Sequence, residues 1–180
     1  MMLRRYFPLV LLALAAPAQV GRRPARDLAP FVPTPEAVVE RMLRLVDLKP
    51  GEKLFDLGSG DGRIVIMAAQ RFGADATGVE LDYGRWKLSM ERIAALGLES
   101  RARIIHGDAL SQDYRSADVI TVYLLPRSND LLRPILERQL KPGARVVSHD
   151  FEFAGWRPER VEWIPNDGEG RSHKLFLYRR

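Results

Sequence analysis

The chain of 180 residues has no cysteine. Disulfides, thiolate metal sites and cysteine nucleophiles are excluded together. Histidine is scarce: His106, His149 and His173 lie far apart and show no metal-ligand spacing, so no metal site is expected. No two carboxylates sit at the spacing of a general acid/base pair. No helix-length apolar run is present, since Phe7 to Ala16 falls short of the roughly 20 residues that span a bilayer. Acids are absent from residues 1–26, which hold Arg4, Arg5, Arg22, Arg23 and Arg26. Without those five arginines, 23 basic residues face 23 acidic ones, so the net charge of +5 belongs to the N-terminus. The body is neutral. It carries no basic footprint for phosphates, and no nucleic-acid partner is expected.

The N-terminus has its own logic. Two arginines, the apolar stretch Phe7–Ala16 and the small-residue site Ala16-Pro17-Ala18 describe a secretory signal peptide over 1–18. A mitochondrial presequence and an uncleaved membrane anchor are the alternatives. The expected address is export to a periplasm or a membrane, or the mitochondrion in a eukaryote. Residues 19–33 form a proline- and arginine-rich linker, and a single domain over 34–180 follows. Thr34 is expected to cap a helix that starts at Pro35 and ends near Pro50-Gly51.

The domain is organised around Lys53–Arg63, KLFDLGSGDGR. An apolar strand stops at Gly58-Ser59-Gly60-Asp61-Gly62 and a second apolar run opens a helix to Phe72. Glycines let a ligand approach the main chain, and a helix N-terminus supplies unpaired N–H groups. A dinucleotide fingerprint needs a third glycine at position 63, where arginine stands. That counts against a nucleotide-cofactor oxidoreductase. Glu80 ends the next strand 22 residues after Gly58, where an acid accepts hydrogen bonds from ribose hydroxyls.

Helix Tyr83–Leu96, with Trp86, Met90, Ile93 and Leu96 facing inward, precedes strand Arg101–His106 and then Asp108-Ala109. Strand Ala117–Leu125 reads as buried on both faces. Helix Asn129–Leu140 contains Pro134. Strand Ala144–Ser148 and a hairpin of Val161–Ile164 with Lys174–Tyr178 close the chain. The pattern predicts an α/β fold: a doubly wound, mostly parallel seven-stranded sheet of Rossmann-like type whose last strand is antiparallel.

Asp56-Leu57-Gly58-Ser59-Gly60-Asp61-Gly62 resembles the first motif of class I S-adenosylmethionine (SAM)-dependent methyltransferases. Val32-Pro33-Thr34-Pro35 ahead of it is similar to the pre-motif of mitochondrial and bacterial protein-lysine methyltransferases. The resemblance implies SAM as cofactor and a protein lysine, or a small molecule, as acceptor. It implies membrane association through the leader. It places Phe31 to Thr34 over the methionine end of SAM, and Asp56, Gly58, Ser59, Gly60 and Gly62 on its amino-acid moiety. It places Glu80 on the ribose, Asp108 and Ala109 at the adenine, and Tyr123 and Leu124 at the acceptor. The ending Tyr123-Leu124-Leu125-Pro126 departs from the Asn-Pro-Pro-Tyr type seen in many nucleic-acid amine and glutamine methyltransferases. His149 or Asp150 would serve as base for an oxygen acceptor. A SAM-binding module without catalysis is the remaining alternative.

Overall fold

The computed structural model describes residues 28–180. The expected leader and most of the linker lie outside the described residues. The element order is α1 (Glu36–Leu45), β1 (Lys53–Leu57), α2 (Arg63–Phe72), β2 (Asp75–Glu80), α3 (Tyr83–Ala95), β3 (Ala102–His106), a 3₁₀ turn (Ala109–Ser111), β4 (Val119–Val122), α4 (Pro126–Gln139), β5 (Arg145–His149), β6 (Arg160–Ile164) and β7 (His173–Arg179). The seven strands lie in the order β3-β2-β1-β4-β5-β7-β6. The first five are parallel, and β7 runs antiparallel to both neighbours. The predicted sheet is present, hairpin included.

Alternation along each strand sends successive side chains to opposite faces. Leu54, Val119, Val147 and Leu175 meet Val38, Met42 and Val65 of α1 and α2 on one face. Phe55, Leu57, Ile120, Val122 and Val146 meet Leu132 and Leu136 of α4 on the other. Between β5 and β6 there is no helix. Phe153 stacks on Trp156 there instead, Tyr178 meets both rings edge-on, and the Tyr178 hydroxyl accepts from the Phe153 N–H at 2.9 Å.

Four local expectations need correcting. Thr34 does not cap α1: Pro35 is the cap residue, in extended geometry and without a side-chain bond. The Thr34 hydroxyl is spent on His149, 3.2 Å away. Helix α1 stops at Leu45 because Asp47 takes a left-handed backbone (φ 51°), so Pro50-Gly51 follows the break rather than making it. Helix α4 starts at Pro126, three residues early, since proline at the first helical position needs no N–H partner. Leu96 points outward at 48% exposure, while Ile93 is buried.

The sheet order reverses between β1 and β4, since β2 follows β1 on one side and β4 lies on the other. Ligands in open α/β sheets bind beyond the strand carboxyl ends at such a point.

Candidate active site

The carboxyl ends of β1, β2, β3 and β4 surround one cavity of about 380 Å³, within the usual range for small-molecule sites of roughly 300–1,000 Å³. Its floor is the glycine turn: Asp56, Gly58, Ser59 and Gly60 all line it. Glu80 comes from the end of β2, Asp108 and Ala109 follow β3, and Tyr123 and Leu124 follow β4. Leu28 to Thr34 crosses the opening as a strap. Every expected residue but one therefore converges. Gly62 stands one step back, as the left-handed cap of α2 packed on Ser89.

The close approach explains the glycines. A Cβ at Gly60, which has φ 56°, would lie 2.6 Å from the Phe31 ring of the strap. At Gly58 it would meet Leu124 at 2.9 Å. Arg63, where a dinucleotide site would carry its third glycine, ties the strap down. Its guanidinium donates to the Thr34 carbonyl at 2.9 Å and grips Asp61 with Nε at 2.9 Å and Nη2 at 2.7 Å. Burial alone would raise the Asp61 pKa, but Arg63, with Arg92 at 3.0 Å, outweighs it and holds the carboxyl ionised. The Arg85 guanidinium lies 5.4 Å over the Phe31 ring, a cation–π contact from α3.

The three acids behave differently. The strand register pairs Asp56 with Thr121, whose hydroxyl donates to it at 2.7 Å. Asp56 is 2% exposed, and burial pushes its pKa up to about 7 despite that bond. Glu80 Oε2 accepts from Gly60 N–H at 2.8 Å, and Oε1 accepts from Asp82 N–H and Arg85 Nε at 2.9 and 3.1 Å. A carboxylate offers about four acceptor positions, so Glu80 keeps about one for a ligand hydroxyl. Asp108 accepts from Leu110 N–H at 2.8 Å and caps the 3₁₀ turn.

At the β4 end the structure adds groups that sequence spacing had hidden. The Tyr123 ring packs on His149, centroids 3.8 Å apart, and its hydroxyl donates to Asp150 Oδ2 at 3.3 Å. Burial, then Asp150, raises the Tyr123 pKa. His149 Nε2 lies 2.8 Å from His173 Nδ1, and His173 Nε2 lies 3.1 Å from Asp167. Twenty-four residues separate the two histidines in sequence, and the antiparallel pairing of β5 with β7 joins them. His173 and Asp167 had no sequence signal; only that pairing could have revealed them. Asp150 holds a left-handed backbone (φ 59°), and its Oδ1 accepts from Lys174 N–H at 2.9 Å.

A family model described as the ANTKMT methyltransferase domain matches residues 56–160, from the carboxylate of the glycine turn to the start of β6. A protein-lysine N-methyltransferase of Saccharolobus islandicus (strain REY15A) is 43% identical over 150 residues, 83% of this chain and 92% of that protein. The chain belongs to this methyltransferase family. The adenine nucleotide translocase lysine N-methyltransferase of Mus musculus is 36% identical over 142 residues, and the chain spans 61% of its length. The crystal structure of an RNA methyltransferase from Salinibacter ruber, in complex with S-adenosyl-L-homocysteine, shares 42% identity and a TM-score of 0.76, covering 82% of this chain and 93% of that one.

The enzyme is thus a SAM-dependent methyltransferase with a Rossmann-like fold. The cavity itself fits the cofactor. Ser59 borders it, and the Ser59 Oγ is buried with no hydrogen-bond partner. Such an orphaned hydroxyl costs roughly 1–3 kcal/mol unless something else bonds it, and a polar ligand laid over the turn would.

Proposed function

We propose that this methyltransferase acts on a lysine amine of a protein. The observation that carries the reading is the match along 92% of the Saccharolobus protein-lysine N-methyltransferase. The site's chemistry agrees with it. When bound, SAM supplies a methyl group on a positive sulfur that leaves as a neutral thioether, so no general acid is required. The chain must align the acceptor, which can contribute roughly 7–11 kcal/mol at ideal geometry, and it must take a proton from the amine. Tyr123 and Leu124 at the mouth remove water from an entering ammonium, which lowers its pKa.

In this reading Thr34, Asp56, Gly58, Ser59, Gly60 and Gly62 hold the amino-acid end of SAM. Glu80 takes a ribose hydroxyl, and Asp108 with Ala109 borders the adenine. All of these but Gly62, which stands behind the turn, converge on one cavity, and that supports their roles. The leader over 1–18, with its arginine flanks, supports delivery to a membrane or beyond it; among the described residues no helix is long and apolar enough to cross a bilayer. Fractionation of tagged full-length chain tests that address.

One observation favours a second reading: the Salinibacter relative is an RNA methyltransferase by name. The neutral body argues against phosphate recognition. Incubating the full chain with radiolabelled SAM and cell extract separates the readings. Label that survives ribonuclease, vanishes with protease and elutes as methyl-lysine after hydrolysis is the expected result. Label lost to ribonuclease, or found only in small molecules, refutes the lysine reading.

A further inference from the structure

The buried chain behind Tyr123 has a fixed polarity. Asp167 is anchored by the N–H groups of Glu169 and Arg171, at 2.8 and 3.1 Å, and as a carboxylate it only accepts. His173 Nε2 therefore carries its proton, and in the neutral ring Nδ1 accepts. Across 2.8 Å, His149 Nε2 must then be the donor, which leaves His149 Nδ1 to accept from the Thr34 hydroxyl. Every donor points from the cavity toward Asp167. Thr34 borders the cavity, and Asp167 sits in the hairpin between β6 and β7 with its side chain buried against His173.

We propose that Thr34, His149 and His173, oriented by Asp167, form a proton exit path from the acceptor amine that reaches water at Asp150. The proposal rests on the lysine reading above. The amine N–H bond breaks as a proton moves to Thr34 Oγ1. The Thr34 proton passes to His149 Nδ1, and the His149 Nε2 proton passes to His173 Nδ1. The amine nitrogen keeps its electron pair for the methyl group. The charge comes to rest on His173, as an imidazolium between Asp167 Oδ2 at 3.1 Å and Asp150 Oδ2 at 3.4 Å. From there Asp150, whose side chain is a quarter exposed, takes the Nδ1 proton and hands it to water, and Nε2 keeps its bond to Asp167.

His149 is not where the charge stops. Burial, with His173 and Arg171, drives its pKa down to about 4 against the pull of Asp150, so it passes a proton while gaining another. The groups facing the path are Tyr123 from the β4 end, Asp150 after β5, Arg171 from the hairpin, and Arg63, which holds the Thr34 carbonyl.

Two measurements on the full chain test the path. In the ligand-free protein, ¹⁵N spectra of the imidazoles should show both His149 and His173 as Nε2–H tautomers near pH 8. Nδ1–H on either ring overturns the proposal. In the second, extract protein is the acceptor at saturating labelled SAM. His173→Gln keeps a polar side chain without a titrating ring and should cut the rate roughly 10²-fold at pH 7, the scale of general-base loss. The deficit should shrink as pH approaches about 10, where free lysine loses its proton unaided. Asp167→Asn, which removes the carboxylate that orients His173, should shift the profile the same way and covers a folding failure of the first variant. SAM affinity should stay at the wild-type value in both. A wild-type pH profile, or a loss equal at every pH, overturns the path. Absence of wild-type lysine labelling overturns the lysine reading and the path with it; labelling with unshifted variants overturns the path alone.

Discussion

Changing Asp56 to Asn probes the most perturbed carboxyl in the cavity. Its pKa is 3.8 unperturbed and about 7 in the fold, and burial is the main cause. A folded pKa raised this way makes the protonated form the stable one. The stabilisation is complete below pH 3.8 and is lost as pH rises through about 7. One pKa unit corresponds to about 1.36 kcal/mol, so roughly 2–3 kcal/mol should disappear between pH 5 and pH 8. His149 works in the other direction. Its pKa falls from 6.5 to about 4, so its stabilisation is present above 6.5 and lost as pH falls toward 4. The two contributions mask each other in a raw stability curve. Asparagine keeps an acceptor for Thr121 and cannot ionise, so subtracting the variant from the wild type isolates Asp56. Urea unfolding of both proteins at half-unit steps should show the wild type losing roughly 2–3 kcal/mol relative to D56N across that window. A difference that stays flat from pH 5 to pH 8 refutes the account. SAM should also release a proton on binding near pH 6.5, because its ammonium favours the ionised carboxylate. Titration calorimetry in two buffers of different ionisation enthalpy reads that release.

Three further outcomes are expected. Gly78→Ala would place a Cβ 2.5 Å from both Ile104 Cδ1 and Ser59 Oγ; overpacking of that kind costs roughly 1–3 kcal/mol, and a wild-type thermal midpoint with wild-type SAM affinity would contradict it. Arg63→Met frees the Thr34 carbonyl and leaves Asp61 to Arg92 alone; charged hydrogen bonds contribute roughly 1.5–3 kcal/mol, so SAM affinity should drop at least tenfold in equilibrium binding. Glu80→Ala should weaken SAM by about 1–3 kcal/mol, and unchanged affinity would remove Glu80 from the site.

The sheet and the cavity floor were legible because local chemistry dictates them. Asp56 through Gly62 is one turn, and Glu80 and Asp108 end neighbouring parallel strands, so spacing alone aligns them. Thr34 misled because an N-cap is a local inference, whereas its hydroxyl answers to a histidine 115 residues away. The partnership of His149 with His173 depends on the antiparallel register of β5 and β7, which no periodicity encodes. Pro126 was readable as a helix start, but the apolar run Tyr123-Leu124-Leu125 drew the strand too far.

Two bonds meet at Thr34. Its carbonyl is held by Arg63, and its hydroxyl is held by His149. A strap lifted off the cavity would break both at once. On the path proposed above, the ammonium proton then has no route, and the acceptor stays charged and unreactive. A strap laid back over the cavity restores the route. One residue thus acts as interlock: the amine becomes a nucleophile only behind a shut door, with the methyl donor already inside.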